Sequence, residues 1–376
     1  MKKRILSMIL VICLSVALLP SCSDGGGEDS GKKVTKLEYW FGISGTVPVD
    51  LQEVNDYINT ITKEKINVEV KLKPIAINNY ETTMSVKINA ADTFDICFTS
   101  EWCNSYIQNA KKGAFLALDD LLAQYAPDIL ESVPAELWDI AKVNGKIYGT
   151  VNQQILPRQS AVVVRKDMAD AFGLKTESIK DLESLTPYLE YCKQNAKADQ
   201  IAGVFDMTCI SAYFGWDDFG RYDIPGVIKN TDSGLKVYNQ FESAEFQSLM
   251  KLGKSWYEKG YYGKDILTAQ PNYKTMCLKF EPTYKPGIEA EEAMIAGHEL
   301  IAIPFGEPTM YTSWNLSSLS AVSATSKNPE KSLEFLNLLY SNEKLFNTLI
   351  YGIENKHYKK VSSNRVELIP DSGYIL

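Results

Sequence analysis

The sequence predicts an α/β protein made of two halves, each with its own sheet and helices. Three observations lead to this fold class. Strand and helix patterns alternate from residue 34 to residue 99, a second alternation follows residue 160, and 376 residues exceed the size of one typical domain. A polar stretch at residues 152–159 separates two strand patterns, and we interpret it as a hinge.

The first half reads as a βαβαβ unit. Strand patterns occupy residues 34–41, 68–72 and 94–99, and helix patterns occupy residues 50–65 and 79–90. The strand at 68–72 alternates apolar and charged residues, so one of its faces should meet water, whereas the strand at 94–99 is apolar on both faces. Such runs build a parallel sheet with helices on its faces.

The second half alternates less regularly. A hairpin is predicted just before it, at Asn144-Gly145. The remaining predicted helices lie at residues 166–172, 179–195, 241–259 and 329–349, and the remaining predicted strands at residues 161–164, 201–207, 300–303 and 316–324.

The N-terminus has the pattern of an export signal. A basic start at residues 2–4 precedes an apolar run at residues 5–19, which is too short to span a bilayer, and the sequence LPSC ends at Cys22. LPSC resembles a bacterial lipobox, so we expect residues 1–21 to be removed and Cys22 to carry lipid. The alternative is an ordinary secretory peptide cut nearby, with Cys22 a bystander. Residues 22–35 are polar and glycine-rich, which predicts a flexible tether.

The charge of the chain limits its partners. The formal net charge is −8, and the first 21 residues carry three positive charges and no acid, so their removal leaves −11. An acidic body argues against nucleic-acid binding and against docking on anionic lipid. We therefore expect membrane contact through the N-terminal lipid only.

Polar and aromatic residues follow the buried strand at 94–99. Thr99, Ser100, Glu101 and Trp102 close that strand, and Trp40 closes the strand at 34–41. Because parallel strands end at one edge of a sheet, these side chains should lie near each other, where ligands of open α/β sheets bind. Indole faces stack on sugar rings, and hydroxyl and carboxylate groups bond sugar hydroxyls. The alternative is that both tryptophans belong to the core or plug loops.

The sequence shows no pattern for a catalytic or metal site. Two histidines, His298 and His357, cannot form a three-histidine zinc site, and neither a G-x-S-x-G nor a phosphate-binding loop occurs. Adjacent acidic pairs such as Asp119-Asp120 point apart and suit solvated faces better than glycoside hydrolysis. We expect no cofactor and no metal.

Five cysteines remain after Cys22: Cys97, Cys103, Cys192, Cys209 and Cys277. Their number is odd and no C-x-x-C spacing occurs, which argues against a zinc ribbon or a thioredoxin motif. We expect them to be mostly reduced and buried. Cys97 and Cys103 are the one pair that lies close along the chain.

Four stretches of the sequence resemble a known family. They are FDICFTSEWCNSYIQNAKKGAFLALDDLLAQYAP (94–127), VNGKIYGTVNQQ (143–154), SWYEKGYYGKDILT (255–268) and WNLSSLSAVSATSKNPEKSLEFLNLLYSNEKLFNTLIYGIENKHY (314–358). On these residues the chain resembles extracellular solute-binding proteins of the maltodextrin-binding type, and more narrowly their LipO-type lipoprotein branch. These are the lipoproteins that serve ABC sugar importers.

The resemblance implies a two-lobe, periplasmic-binding-protein-like fold of class II, with a hinge and a ligand cleft between the lobes. It places residues 36–151 with 300–326 in lobe 1, and residues 152–299 with 327–376 in lobe 2. Relatives of this branch usually continue beyond residue 358, so we expect part of lobe 2 to be missing if the chain is cut short.

The resemblance also implies a set of ligand-binding residues. Gln153 and Gln154 would sit at the lobe crossing, or only satisfy hinge backbone, and Trp216 with Asp217 would face the cleft, or form a surface turn. Together with the strand-end residues, the expected ligand contacts are Trp40, Thr99, Ser100, Glu101, Trp102, Gln153, Gln154, Trp216, Asp217, Trp314 and Asn315.

The function implied is that of a lipid-anchored substrate-binding protein on the outer face of the cytoplasmic membrane. It would capture an oligosaccharide or a related polar solute, act as a monomer and deliver the solute to the transmembrane subunits of an ABC permease. Two alternatives stay open: a sensory or scaffold lipoprotein, and a surface glycosidase that uses Glu101 with Asp217.

Overall fold

The computed structural model describes residues 33–198, 201–203, 207–218, 224–265, 272–310 and 316–376. The predicted signal peptide, the lipidation site Cys22 and most of the tether lie outside these residues, and so do Trp314 and Asn315. Residues 34–376 form one unit. Within the part of the chain that is described, no helix is both long and apolar enough to cross a membrane.

Strands and helices are interspersed along the chain, singly at its start and then in groups. The strands are β1 (Thr35–Ile43), β2 (Val68–Ala76), β3 (Ile96–Thr99), β4 (Lys142–Val143), β5 (Lys146–Ile147), β6 (Thr150–Val151), β7 (Arg158–Arg165), β8 (Trp216–Asp217), β9 (Gly226–Lys229), β10 (Val237–Asn239), β11 (Leu278–Glu281), β12 (Leu300–Thr309), β13 (Leu319–Val322), β14 (Tyr358–Ser362) and β15 (Arg365–Leu368). The helices are α1 (Leu51–Ile66), α2 (Ile77–Asn89), α3 (Tyr106–Lys111), α4 (Asp119–Tyr125), α5 (Pro127–Ser132), α6 (Ala135–Ile140), α7 (Lys166–Phe172), α8 (Thr186–Asn195), α9 (Met207–Phe214), α10 (Ala244–Glu258), α11 (Ile288–Ala296), α12 (Pro329–Ser341) and α13 (Glu343–Tyr351).

The first sheet confirms the predicted βαβαβ unit. Its strand order is β2-β1-β3-β13-β6, with β1 parallel to both β2 and β3, and β13 antiparallel to β3 and β6. Alternation decides which face of β2 is covered: Val68, Val70 and Leu72 are buried, and the charged residues between them are not.

Helix α1 covers the outer edge of this sheet with two asparagine side chains. Asn59 donates from Nδ2 to the Val70 carbonyl (3.0 Å) and accepts from the Val70 N–H at Oδ1 (2.8 Å). Asn55 does the same one turn earlier, donating to the Val70 carbonyl and accepting from the Leu72 N–H. Since β2 is an edge strand, these bonds satisfy backbone groups that would otherwise be open to another chain.

The second sheet has the order β11-β7-β12, and all its pairs are antiparallel. Residues 161–164 in the middle of β7 are buried, as their apolar run predicts. The placement of residues 300–309 in lobe 1 is wrong, because they form β12 and pair with β7. A strand buried on both faces in the centre of a sheet needs a partner on each side, and β12 supplies one of them.

The chain builds two separate cores around these sheets. The first core contains the first sheet, α1 and buried residues of α3 to α6, and the second core contains β7, β11, β12, α7, α8 and part of α10. Helices α12 and α13 bury Leu333, Phe335 and Leu345 in the first core. The placement of residues 327–376 in lobe 2 is therefore wrong for this segment.

The C-terminal residues also pack on the first core. His357 is fully buried; its Nδ1 accepts from the Ile353 N–H (2.8 Å), so its Nε2 carries the proton and donates to Asp50 (3.2 Å). The Asp50 N–H donates to the Gly373 carbonyl (3.1 Å), and the Tyr374 hydroxyl donates to the Leu349 carbonyl (2.8 Å). The Asp50 bonds join the end of the chain to the start of α1, and the Tyr374 bond joins it to α13.

Three predicted elements differ from the structure for local reasons. The helix predicted at 179–195 forms only as α8, because Pro187 is tolerated only in the first turn of a helix. The helix predicted at 329–349 divides into α12 and α13 where the Asn342 side chain accepts from the Leu345 N–H and caps the second helix. Of the strand predicted at 201–207, the described residues 201–203 form only a bridge between Ala202 and Leu278, and α9 begins at Met207.

Candidate functional site at the end of strand β3

The residues that follow β3 form a tight polar turn. The Thr99 hydroxyl donates to the Asn104 carbonyl (2.5 Å), and the Ser100 hydroxyl donates to the Cys103 carbonyl (2.9 Å) while accepting from the Cys103 N–H (2.8 Å). Both Thr99 and Ser100 are fully buried. Their predicted role as ligand contacts is corrected to a structural one, because their hydroxyls hold the turn and do not reach solvent.

This turn presents Trp102 to solvent. Its side chain is 53% exposed, although its Nε1 donates to the Ser317 carbonyl (2.9 Å) and its ring centroid lies 5.7 Å from that of Phe98. One bond and one aromatic neighbour therefore fix the orientation of the indole while much of its surface stays open. An exposed aromatic that is already oriented loses little conformational entropy when a ligand binds.

Glu101 lies beside Trp102 in a very different environment. Its N–H donates to the Leu316 carbonyl (2.9 Å), but among the described residues its buried Oε2 has no hydrogen-bond partner. Burial raises the pKa of the Glu101 carboxyl to about 7, with the Arg158 charge lowering the pKa and the Asp218 charge raising it. A buried carboxyl with an unsatisfied oxygen is unfavourable unless a ligand completes its hydrogen bonds.

The two charged neighbours of Glu101 come from the other sheets. Arg158 is the first residue of β7, where its Nε donates to the Pro282 carbonyl (2.6 Å), and Asp218 directly follows β8. The carboxyl edge of the first sheet therefore faces residues that belong to the second half of the chain. The sequence pointed to neither Arg158 nor Asp218 as a site residue; the only signals were the position of Arg158 in the polar stretch and of Asp218 beside Asp217.

Gln153 and Gln154 lie in the connection between β6 and β7. Gln153 is exposed, and Gln154 donates from Nε2 to the Asn152 carbonyl (3.3 Å). Asn152 in turn donates to the Ser318 hydroxyl (3.3 Å). Gln154 thus satisfies backbone in the connection, as one of the two interpretations expected, while the Gln153 side chain reaches solvent.

Trp40 is not at the strand end. Strand β1 continues to Ile43, and Trp40 pairs with Cys97, two residues before the end of β3. Its Nε1 donates to Glu38 (3.0 Å), and the ammonium groups of Lys87 and Lys73 lie 4.6 and 5.2 Å from the ring centroid. The predicted stacking role of Trp40 is corrected, because two cations cover the ring.

Trp216 and Asp217 lie inside the second half of the chain. Trp216 is 2% exposed and stacks on Phe214, with ring centroids 4.7 Å apart and planes at 27°, and Asp217 is 7% exposed. Both form β8, which pairs with β9. The surface-turn interpretation is wrong, because both residues pair in a strand and both side chains are buried. The ligand contacts predicted for Trp216 and Asp217 stay a prediction.

In the described residues, no group of three or more His, Cys, Asp or Glu side chains could hold a metal ion. Of the predicted site residues, the structure brings Glu101 and Trp102 together and leaves Gln153 exposed. It places Trp40, Thr99 and Ser100 in structural positions and buries Trp216 and Asp217.

Comparison with known proteins relates this chain to transport proteins. No family model matches the sequence. A carbohydrate ABC transporter substrate-binding protein of Streptococcus pneumoniae serotype 4 is 26% identical over 391 residues, which cover 99% of this chain and 76% of that protein. The crystal structure of NgtS, an N-glycan transport solute-binding protein from Streptococcus pneumoniae, has a TM-score of 0.78 at 25% identity, covering 90% of this chain and 74% of that one. The chain is similar along nearly its whole length to substrate-binding proteins of carbohydrate ABC transporters.

Other solved structures share the fold of this chain. FusA, an ABC-transporter substrate-binding protein of S. pneumoniae in complex with kestose, has a TM-score of 0.61 at 17% identity and covers 91% of this chain and 75% of that one. NgtS structures include complexes with Man1GlcNAc and Man5GlcNAc. The α/β solute-binding fold is confirmed. The prediction that the chain is not an enzyme is confirmed as well, because its relatives are transporter binding proteins.

Proposed function

We propose that this substrate-binding protein captures an oligosaccharide at the end of strand β3 and delivers it to the membrane subunits of an ABC importer. The observation that carries the proposal is the pair formed by Trp102 and Glu101. An open, oriented indole lies beside a buried carboxyl with an unsatisfied oxygen. The complexes of NgtS with Man1GlcNAc and Man5GlcNAc support a glycan of mannose and N-acetylglucosamine as the class to test first.

The two side chains suit the two kinds of surface on a sugar ring. The C–H face of a pyranose is apolar and can stack on the exposed indole of Trp102. A hydroxyl at the ring edge can donate to Glu101 Oε2, or accept from it when the carboxyl is protonated. Because that oxygen is buried and without a partner among the described residues, a hydrogen bond to it removes an existing desolvation cost.

Arg158 and Asp218 link ligand binding at Glu101 to the arrangement of the two halves of the chain. Both act electrostatically on Glu101 and both belong to the second half of the chain. A ligand at Glu101 would therefore contact residues from both halves and favour the arrangement in which the halves are close. Such a ligand would act by differential binding to the closed arrangement, with no bond broken.

The finer parts of the proposal come from the sequence. We propose that Cys22 carries lipid and that residues 22–35 tether the folded body to the outer face of the cytoplasmic membrane. The LipO-type branch, action as a monomer, and ligand contacts from Gln153, Trp314 and Asn315 are proposed on the same basis.

The function is tested by a thermal-shift screen of the full chain. Ligands are mono- and oligosaccharides, including mannose–N-acetylglucosamine glycans, with amino acids and short peptides as the comparison set. A ligand that binds only the folded state stabilises it, by about 2.7 kcal/mol at 100 times its Kd, and so raises the melting temperature. A shift with one glycan class supports the proposal. A shift with peptides or amino acids alone contradicts it.

The site is tested by two tryptophan variants in the same assay. Trp102→Ala should weaken glycan binding about tenfold or more, because a stacking contact contributes about 1 kcal/mol beyond its buried area. Trp40→Ala is the matched control and should leave the affinity unchanged, since its ring is covered by Lys73 and Lys87. Equal affinity for wild type and Trp102→Ala would remove Trp102 from the site.

A further inference from the structure

Two cysteines of the second core face each other. Cys192 lies on helix α8, and Cys277 directly precedes strand β11. Tyr188 lies one turn before Cys192 on the same face of the helix, and its hydroxyl donates to the Cys277 carbonyl (3.1 Å). The face of α8 that carries Cys192 is therefore fixed against the backbone of Cys277.

The two thiols lie close enough to interact electrostatically. Their interaction lowers the pKa of Cys192 and raises the pKa of Cys277. Both side chains are buried, with at most 1% exposed. The Cys277 carbonyl also accepts from the Arg165 N–H (3.0 Å), so β7 and α8 both position this residue.

The cysteine pair that is close in the sequence is arranged differently. The Cys97 sulfur accepts from the Asn104 amide (3.7 Å), and the Cys103 N–H and carbonyl are both bonded to the Ser100 hydroxyl. Each of these two cysteines is therefore engaged by the turn after β3. Proximity along the chain is a poor guide here, because the interacting pair is separated by about 85 residues.

We propose that Cys192 and Cys277 form a disulfide when the chain folds in oxidising surroundings. Two S–H bonds break and an Sγ–Sγ bond forms, and the two protons pass to the two thiols made from the oxidant. The two electrons pass to the disulfide of a small-molecule or protein oxidant, whose S–S bond breaks to give two thiols. Buried thiols in a folded protein are protected, so the reaction belongs to the folding step, before the second core closes over both sulfurs.

The disulfide would join α8 to the edge of the second sheet. Cross-links that close long loops restrict the unfolded chain most, and this loop contains about 85 residues. For a chain of this size we expect the oxidised form to melt about 5–10 °C above the reduced form. The cross-link lies away from Glu101 and Trp102, so the inference does not depend on the proposed ligand site.

The test is a thiol map of the full chain after refolding. The chain is refolded in oxidised glutathione and, separately, in reduced glutathione; free thiols are then blocked with N-ethylmaleimide in denaturant, and peptides are identified by mass spectrometry. The expected result after oxidative refolding is a linked peptide pair containing Cys192 and Cys277, two hydrogens lighter than the reduced pair, and a higher melting temperature.

The control is the double variant Cys192→Ser, Cys277→Ser, whose melting temperature should not depend on the redox buffer. Maleimide on both thiols of the wild-type chain after oxidative refolding would overturn the proposal, and so would a bond from either cysteine to another of the seven in the chain. If the double variant fails to fold, the peptide map of the wild-type chain still decides.

Discussion

Replacing Glu101 with glutamine should make the protein more stable at alkaline pH and leave its stability unchanged at acidic pH. The carboxyl has a pKa of about 7 in the folded chain against an ordinary value of 4.5, and burial is the main cause. Glutamine has nearly the same shape and no charge. The substitution therefore removes the cost of ionising a buried group and changes little else.

The size of the effect follows from this difference in pKa. Below pH 4.5 the carboxyl is protonated in both the folded and the unfolded chain, so it has no effect on the pH dependence. Between pH 4.5 and 7 the unfolded chain releases the proton first, and stability is lost as pH rises through the folded pKa. Above pH 8 the wild type should be about 3 kcal/mol less stable than it would be with a neutral group at this position.

The assay is urea unfolding of wild type and Glu101→Gln at pH 5 and pH 8.5, monitored by tryptophan fluorescence. The difference between the two proteins isolates Glu101, because other titrating groups are common to both. Asp218→Asn serves as a second variant: it removes a charge that raises the pKa of Glu101 and should reduce the pH dependence. A difference between wild type and Glu101→Gln that is the same at both pH values would refute this reasoning.

Three further substitutions should lower stability without changing ligand affinity, as measured by urea unfolding and by the thermal-shift screen. Trp216→Ala should cost about 3–5 kcal/mol, because it empties a buried site next to Phe214; a cost below about 1 kcal/mol would contradict that packing. Asn59→Leu should cost about 1–3 kcal/mol by leaving the Val70 N–H without its partner, and an unchanged midpoint would contradict the edge-strand bonds. Gly352→Ala should cost about 2 kcal/mol or more, since Gly352 has a φ of 88° and a Cβ there would lie 2.5 Å from the His357 ring; normal stability would show that this segment rearranges freely.

The sequence was sufficient to predict most strands and helices of the first sheet and its covering layer. Hydrophobic alternation in β2 and the apolar stripe of α1 are local patterns. Such patterns predict an element correctly because one face of each element is buried. Proline and asparagine explain most of the boundary errors: Pro187 shortens α8, and Asn342 divides the last long helix. These signals are present in the sequence but are outweighed by the longer apolar patterns around them.

The lobe boundaries could not be read from the sequence. Strand β12 joins the second sheet and α12 joins the first core, although the resemblance placed each of them in the other lobe. Which sheet a strand joins depends on pairing between distant residues, and periodicity carries no information about the partner.

The candidate site was predicted in part for a related reason. Residue type placed hydroxyl, carboxylate and indole groups after β3, but only the geometry shows that Thr99 and Ser100 bond their own turn while Trp102 stays open. Trp40 and Trp216 are aromatic residues beside polar neighbours, as Trp102 is. Only the structure shows that Trp216 is buried, that two lysines lie over Trp40 and that Trp102 is exposed. Arg158 was missed because its proximity to Glu101 depends on packing between the two halves.

The most direct test of the central claim is isothermal titration calorimetry of the full chain with a mannose–N-acetylglucosamine oligosaccharide. The result expected is one glycan bound per chain with a Kd of about 10 μM or tighter, equivalent to roughly −7 kcal/mol, which a stacked ring and a few buried hydrogen bonds can supply. No heat of binding at millimolar glycan, from a chain that melts cooperatively, would contradict the claim that this protein binds such oligosaccharides.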